Sequence, residues 1–203
     1  MRAFNKKYDF AFQLHIQIRD SKPAIWRRVL VPADYNFGQL HQVTQAAFSW
    51  QGHHLHLFTL PILTDHGIDQ IQFETFHEGY EPLGVDSVNE TEHQLKDHLT
   101  VSTALDYHYD FGDDWIHDIV VEGYLIQLKK QKYPACIDGE NHHAFEDIGG
   151  IWGYQHAVEI LADPEHEEHK DLKAWLKANY GAAKVNKFDP TAFEAKKIKF
   201  NIQ

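Results

Sequence analysis

The chain has 203 residues and a formal charge of −11 with its histidines neutral. Hydrophobic residues make up 43% and charged ones 24%, which is ordinary for a folded chain, and no segment approaches the run of about 18 apolar residues that a membrane helix needs. The acidic balance repels phosphate backbones, so bare nucleic acid is disfavoured as a partner and a protein or a small ligand is expected instead.

The opening residues, MRAFNKKYDF, hold no apolar stretch long enough for a secretory signal, so the expected location is cytoplasmic. Cys136 is the only cysteine, so no internal disulfide can form, and a lone thiol suits a reducing compartment. The length fits a single α+β domain, read as sheet-rich over 9–127, irregular over 128–151 and helical over 152–200.

Residues 9–20 alternate apolar and polar, with Phe10, Phe12, Leu14, Ile16 and Ile18 on one face, the period of a half-buried strand. A turn at Ser21-Lys22-Pro23 leads to a second strand over 24–32, and the two predict an antiparallel hairpin. Asn36, with Gln39 three residues on, predicts a capping box. Leu40, Val43 and Ala47 then share a helical face, and the helix should end near Trp50–Gly52. Residues 54–63 read as a strand, with Pro61 at a sheet edge or bulge. A further strand is expected around Ile68–Phe76, then a long surface excursion over 77–93, β-like residues to Phe111, and a strand over 115–127.

After Tyr133-Pro134 comes a long glycine-containing stretch. Tyr154, Ala157, Val158 and Leu161 then mark one helical face. Asp163-Pro164 reads as an N-cap and first helical residue for a second helix, and Asp189-Pro190 repeats that start for a last short one. The order predicts a mostly antiparallel mixed sheet, with one helix packed after the first hairpin, a helical C-terminal part and a β-grasp-like start.

Four groups of residues carry candidate chemistry. The run YDFGDDWIH (109–117) places Asp110 opposite His117 if Asp113-Asp114 is the tip of a hairpin. That pair suits acid–base work or half of a metal site, with Asp114 as a further candidate base; the alternative is a well-made turn with Tyr109, Phe111 and Trp115 packing. His54 and His56 sit two apart on a strand and so point the same way. With Asp110 and His117 they make a candidate zinc set, against the alternative of two histidines on a polar face. Cys136, Asp138, His142, His143, Glu146 and Asp147 form a second set, in which Cys136, His142 and His143 are the softest ligands, though their spacing matches no common zinc finger. The WRRV stretch offers Trp26, Arg27 and Arg28, with Asp113 and Trp115, as ligand-binding candidates; the plainer reading gives one solvated arginine and one paired with a carboxylate. EHEEHK (165–170) lacks the four-residue histidine spacing of a metalloprotease helix and reads as a solvated helix face. G-x-S-x-G, G-x-x-x-x-G-K-[ST] and G-x-G-x-x-G motifs are all missing.

The segments IWRRVLVP, LHQVTQAAFSW, HLHLF, YDFGDDWIHDIVVE, YPACIDGE, EDIGGIWGY and FDPTAFE occur in the order that marks the plasmid Ri open-reading-frame-three-like family, and the chain resembles that family from about residue 9 to 195. Some members carry a transposon-resolvase (TnpR-like) label as passengers of insertion elements. The resemblance implies a compact α+β fold and no particular reaction. Many members carry further cysteines and a proline pair after the equivalent of Cys136; here those places hold His143, Ala144-Phe145 and Ile148, so a zinc site there would be weakened. The leading expectation is a non-catalytic binding or accessory module of a mobile-element-associated family. The rival is a metal-dependent, hydrolase-type enzyme using the His/Asp set with a divalent metal such as zinc, and a weaker third is a resolvase accessory.

Overall fold

In this computed structural model, residues 10–76, 79, 82–84, 86–126 and 132–203 are described. The alternating apolar residues make the first hairpin: β1 (Phe10–Ile18) and β2 (Trp26–Pro32) pair antiparallel, with Leu14 opposite Val29 and Phe12 opposite Val31, all facing the core. Helix α1 (Phe37–Ala47) carries the expected capping box. Asn36 Oδ1 accepts the Gln39 amide, and Gln39 Oε1 accepts the Asn36 amide. Leu40, Val43 and Ala47 are fully buried. The helix stops at Ala47, short of the predicted Trp50–Gly52, because Phe48 leaves helical geometry as its cap.

Among the described residues the remaining strands and α-helices are β3 (His56–Thr64), β4 (Gly67–Glu74), β5 (Ser87–Asn89), α2 (Leu95–His98), β6 (Ala104–Tyr109), β7 (Trp115–Ile126), β8 (Ala135–Glu140), α3 (Gly150–Ala162), α4 (His169–Tyr180) and α5 (Ala182–Val185), with single 3-10 turns at Glu90–Glu92 and Ala195–Lys197. The strands form one sheet in the order β5-β4-β3-β6-β7-β1-β2-β8. Every pairing is antiparallel except β4 with β5. The fold is therefore α+β with a mostly antiparallel sheet. Pro61 is tolerated because β6 pairs with β3 only over His56–Thr59, so at Pro61 only β4 flanks the strand. The core faces of β1, β2, β6 and β7 merge with α1, Phe145, Tyr154 and Leu176 into one apolar cluster. Among the described residues no helix is long and apolar enough to cross a membrane.

Several expectations need correction. A β-grasp start would set a single strand, parallel to β1, between β1 and the strand after the helix; here two strands, β7 and β6, lie between β1 and β3, and β7 runs antiparallel to β1. The stretch expected to be irregular contains β8, which pairs with β2; residues 128–131 of that stretch lie outside the described residues, as do 77, 78, 80, 81 and 85 of the expected excursion. Neither Asp-Pro pair begins an α-helix. Asp163 caps the end of α3, and its carboxylate accepts the Glu165 amide; Asp189 accepts the Thr191 amide. In both cases the aspartate spends its side chain on a local turn two residues on. His169 of the EHEEHK stretch is buried, with Nδ1 3.0 Å from the Ile160 carbonyl.

Candidate metal and ligand cleft

The β6–β7 hairpin closes with Tyr109 opposite Trp115, so its turn is the five residues Asp110–Asp114 rather than an Asp113-Asp114 tip. This shift overturns the predicted Asp110–His117 pair: His117 lies opposite Tyr107, and Ile116 opposite His108. Asp110, at φ 55°, organises the turn instead. Its Oδ1 accepts the Gly112 and Asp113 amides at 3.1 and 3.4 Å, and its carbonyl accepts the Asp114 amide. The other carboxylate oxygen, Oδ2, lies 3.6 Å from His54 Nε2.

A second turn docks against this one. The Gly149 amide donates to Asp113 Oδ2 at 3.0 Å, and Gly150, at φ +67°, lies so close to the Asp113 carbonyl that no side chain fits. That docking presents Asp147, whose Oδ1 sits 2.9 Å from His54 Nε2. One ligand atom from each of His54, Asp110 and Asp147 falls within 4.8 Å of the others, the sole such histidine–carboxylate group of three among the described residues. Behind Asp147, the Glu146 carboxylate is buried and accepts the Tyr109 hydroxyl at 2.8 Å and the Gln51 amide at 2.9 Å; burial raises its pKa.

His54 also lines a cavity of about 470 Å³ that contains His41, His53, His56 and Glu90. His56 Nε2 is 2.7 Å from Glu90 Oε2, and both side chains are buried. Thr75 donates its hydroxyl to the other Glu90 oxygen. Burial is the largest influence on Glu90 and raises its pKa, but the hydrogen bonds from His56 and Thr75 outweigh it and the carboxyl stays below its usual range. The His41 ring stacks on His56 at 3.7 Å, and its Nδ1 lies 2.7 Å from the Tyr107 hydroxyl, which also accepts from Gln45. Burial, then the neighbouring His56, pushes His41 down to about 3, so this imidazole is neutral.

Of the sequence-predicted metal residues, His54 and Asp110 come together, whereas His56 and His117 do not join them. His56 turns into the core toward Glu90. His117 is fully buried between Phe48, Trp50 and Tyr107, and neither ring nitrogen has a well-formed hydrogen bond among the described residues; burial pushes it down to about 3, against the weaker opposing pull of the Tyr107 and Trp115 backbone. Asp114 Oδ1 lies 2.7 Å from His108 Nε2, and Asp113 is committed to Gly149. Trp115 is a core side chain, 1% exposed. Trp26 stacks on His15 and donates to Glu140 at 3.2 Å. Arg28 pairs with Glu122 and Asp138, as one arginine was expected to, but Arg27 is buried rather than solvated. The softer set does not converge: Cys136 Sγ contacts the Asp138 carbonyl, and His142 and His143 each spend Nδ1 on a backbone carbonyl. Sequence reasoning missed His41 and Glu90, which no motif singles out, and it grouped Asp147 with Cys136 rather than with His54.

Fold and cleft together define an α+β protein in which a hairpin turn, a helix-start turn and a histidine-rich strand entrance meet. The chain belongs to the plasmid pRiA4b ORF-3-like protein family, which it matches over residues 10–197. It is 33% identical over 175 residues, 86% of this chain and 85% of the relative, to the protein y4hQ of Sinorhizobium fredii (strain NBRC 101917 / NGR234), described as uncharacterized. The crystal structure of MM3350, a protein of unknown function from Methanosarcina mazei Go1, matches with a TM-score of 0.82 and 32% identity, covering 96% of this chain and 100% of that one.

Proposed function

We propose that the protein is a non-catalytic binding module that holds a divalent metal ion through His54, Asp110 and Asp147 and takes a small polar ligand in the adjoining cavity. The convergence of those three side chains carries the reading. Metal–ligand bonds of about 2.0 Å in a tetrahedral site put donor atoms about 3.3 Å apart, and the His54 separations of 2.9 and 3.6 Å bracket that value. One imidazole and two carboxylates suit zinc, manganese or iron(II) and leave coordination positions open. The free thiol of Cys136 and the plasmid in the family's name support a cytoplasmic, mobile-element-associated accessory role.

A second reading, metal-assisted hydrolysis, is favoured by one observation: the His56–Glu90 pair and the neutral His41 line the same cavity as His54. Metal analysis of protein purified without a histidine tag and incubated with zinc, manganese or iron(II) tests the shared premise. One equivalent of metal in the wild type, lost in His54→Ala, supports it; substoichiometric metal in all three incubations refutes it. Zinc-dependent turnover of a chromogenic ester or phosphoester, abolished by His54→Ala, would favour hydrolysis over simple binding.

A further inference from the structure

A second cavity, of about 700 Å³, lies between the start of β2 and the C-terminal segment. Arg27 lines it and is 1% exposed. The Arg27 guanidinium has no carboxylate partner among the described residues. Its hydrogen bonds all go to backbone carbonyls, Nε to Ala47 and Nη1 to Trp26 and Glu140, and Nη2 makes none among the described residues. Phe193 covers one region of the guanidinium at 4.0 Å and Phe48 lies at 5.1 Å. A buried guanidinium without a counter-charge is costly, and burial has pushed its pKa down to about 10.

The other charges around the cavity do not balance it. Lys184 and Lys187 line it and make no ion pair among the described residues, whereas Lys197 is neutralised by Glu194 at 2.6 Å. Glu146 is held by Tyr109 and Gln51. Asp189, close enough to act on His142, is engaged by Thr191. His142 and His143 are lowered by burial and further by Arg27 and Lys184, His143 to about 3, so both are neutral. Arg27, Lys184 and Lys187 thus line one cavity without a salt-bridge partner among the described residues, in a chain of net charge −11, and aromatic side chains, Phe145 and Phe188 among them, form its walls.

We propose that this cavity binds a small organic carboxylate with a planar apolar body, its oxyanion meeting Arg27 Nη2 and the Lys184 and Lys187 ammonium groups and its body lying against the aromatic wall. A planar monoanion matches both the single open guanidinium edge and the rings. The site is separate from the His54 group, so it stands or falls independently of the metal.

Arg27 ties β2, α1 and β8 together through its carbonyl contacts, so replacing it endangers the fold. The double variant Lys184→Ala/Lys187→Ala leaves those ties intact. Fluorine NMR of para-fluorobenzoate titrated into the full chain should show saturable line broadening. The neutral para-fluorobenzyl alcohol should show none, and the double variant should bind the benzoate at least tenfold more weakly. Absence of saturable broadening, equal binding of the alcohol, or an unchanged affinity in the double variant would overturn the proposal. Displacement of the benzoate by an equal concentration of inorganic phosphate would overturn the choice of a carboxylate.

Discussion

Asp113 and Gly149 lock two turns together: Asp113 Oδ2 accepts the Gly149 amide at 3.0 Å, while a Cβ on the next residue, Gly150, would stand 2.1 Å from the Asp113 carbonyl oxygen. Two of the segments on which the family resemblance was read, residues 109–122 and 146–154, thereby meet in one contact. Gly150 also holds φ +67°, so an alanine there is both strained and blocked. Gly150→Ala should destabilise the protein by about 3 kcal/mol or more. Gly112→Ala, which would meet only Asp110 Oδ1 at 3.3 Å, should cost far less. Urea denaturation of both variants checks the contrast, and equal losses would show that the turns are not locked.

Acid stability should be dominated by buried neutral histidines. His117 has a folded pKa of about 3 against an ordinary value of 6.5. Below pH 6.5 the unfolded chain takes up a proton that the folded chain refuses, so stability falls as pH drops from 6.5 toward 3. One such group contributes about 1.4 kcal/mol per pH unit in that window. His41 and His143 are lowered in the same direction. His117→Leu should flatten the slope of unfolding free energy against pH between 6 and 4 by about that much, and an unchanged slope would remove His117 from the account.

The buried His56–Glu90 pair should show the coupling of partners that cannot be removed singly. Glu90→Leu leaves His56 without its 2.7 Å partner in the core and should cost about 3 kcal/mol. The double variant His56→Leu/Glu90→Leu should recover part of that loss. Losses that simply add in a double-mutant cycle would show the two side chains to be independent.

Arg28 provides the opposite case. It is bidentate to Glu122 at 2.6 and 2.8 Å and also reaches Asp138, yet its side chain is 26% exposed. Arg28→Ala should cost about 1 kcal/mol at low ionic strength, and less in molar salt. Thermal melts at two salt concentrations read this directly.

What the sequence revealed and what it hid follow from the range of the forces involved. The first hairpin was legible in the alternation of Phe12, Leu14 and Ile16, and the start of α1 in Asn36 and Gln39, because strand burial and helix capping are decided within a few residues. His54 and Asp110 were legible as candidate ligands by residue type. Their third companion was not, because Asp147 reaches His54 only through the docking of Gly149 and Gly150 on Asp113. The Asp110–His117 pairing failed on register: a five-residue turn in place of a two-residue tip moved every facing residue on β7. The burial of Arg27, against the plainer reading of a solvated arginine, was hidden for a related reason. Its burial depends on Phe193, far along the chain, and on carbonyls from three separate elements.

The central claim is that His54, Asp110 and Asp147 are one ligand set. Calorimetric titration of zinc into metal-free, tag-free protein at neutral pH tests it most directly, with wild type, His54→Ala and Asp147→Asn measured side by side. One saturable site in the wild type, weakened at least tenfold in each variant, is the predicted result. No saturable site in the wild type, or a site of the same affinity in both variants, would contradict it.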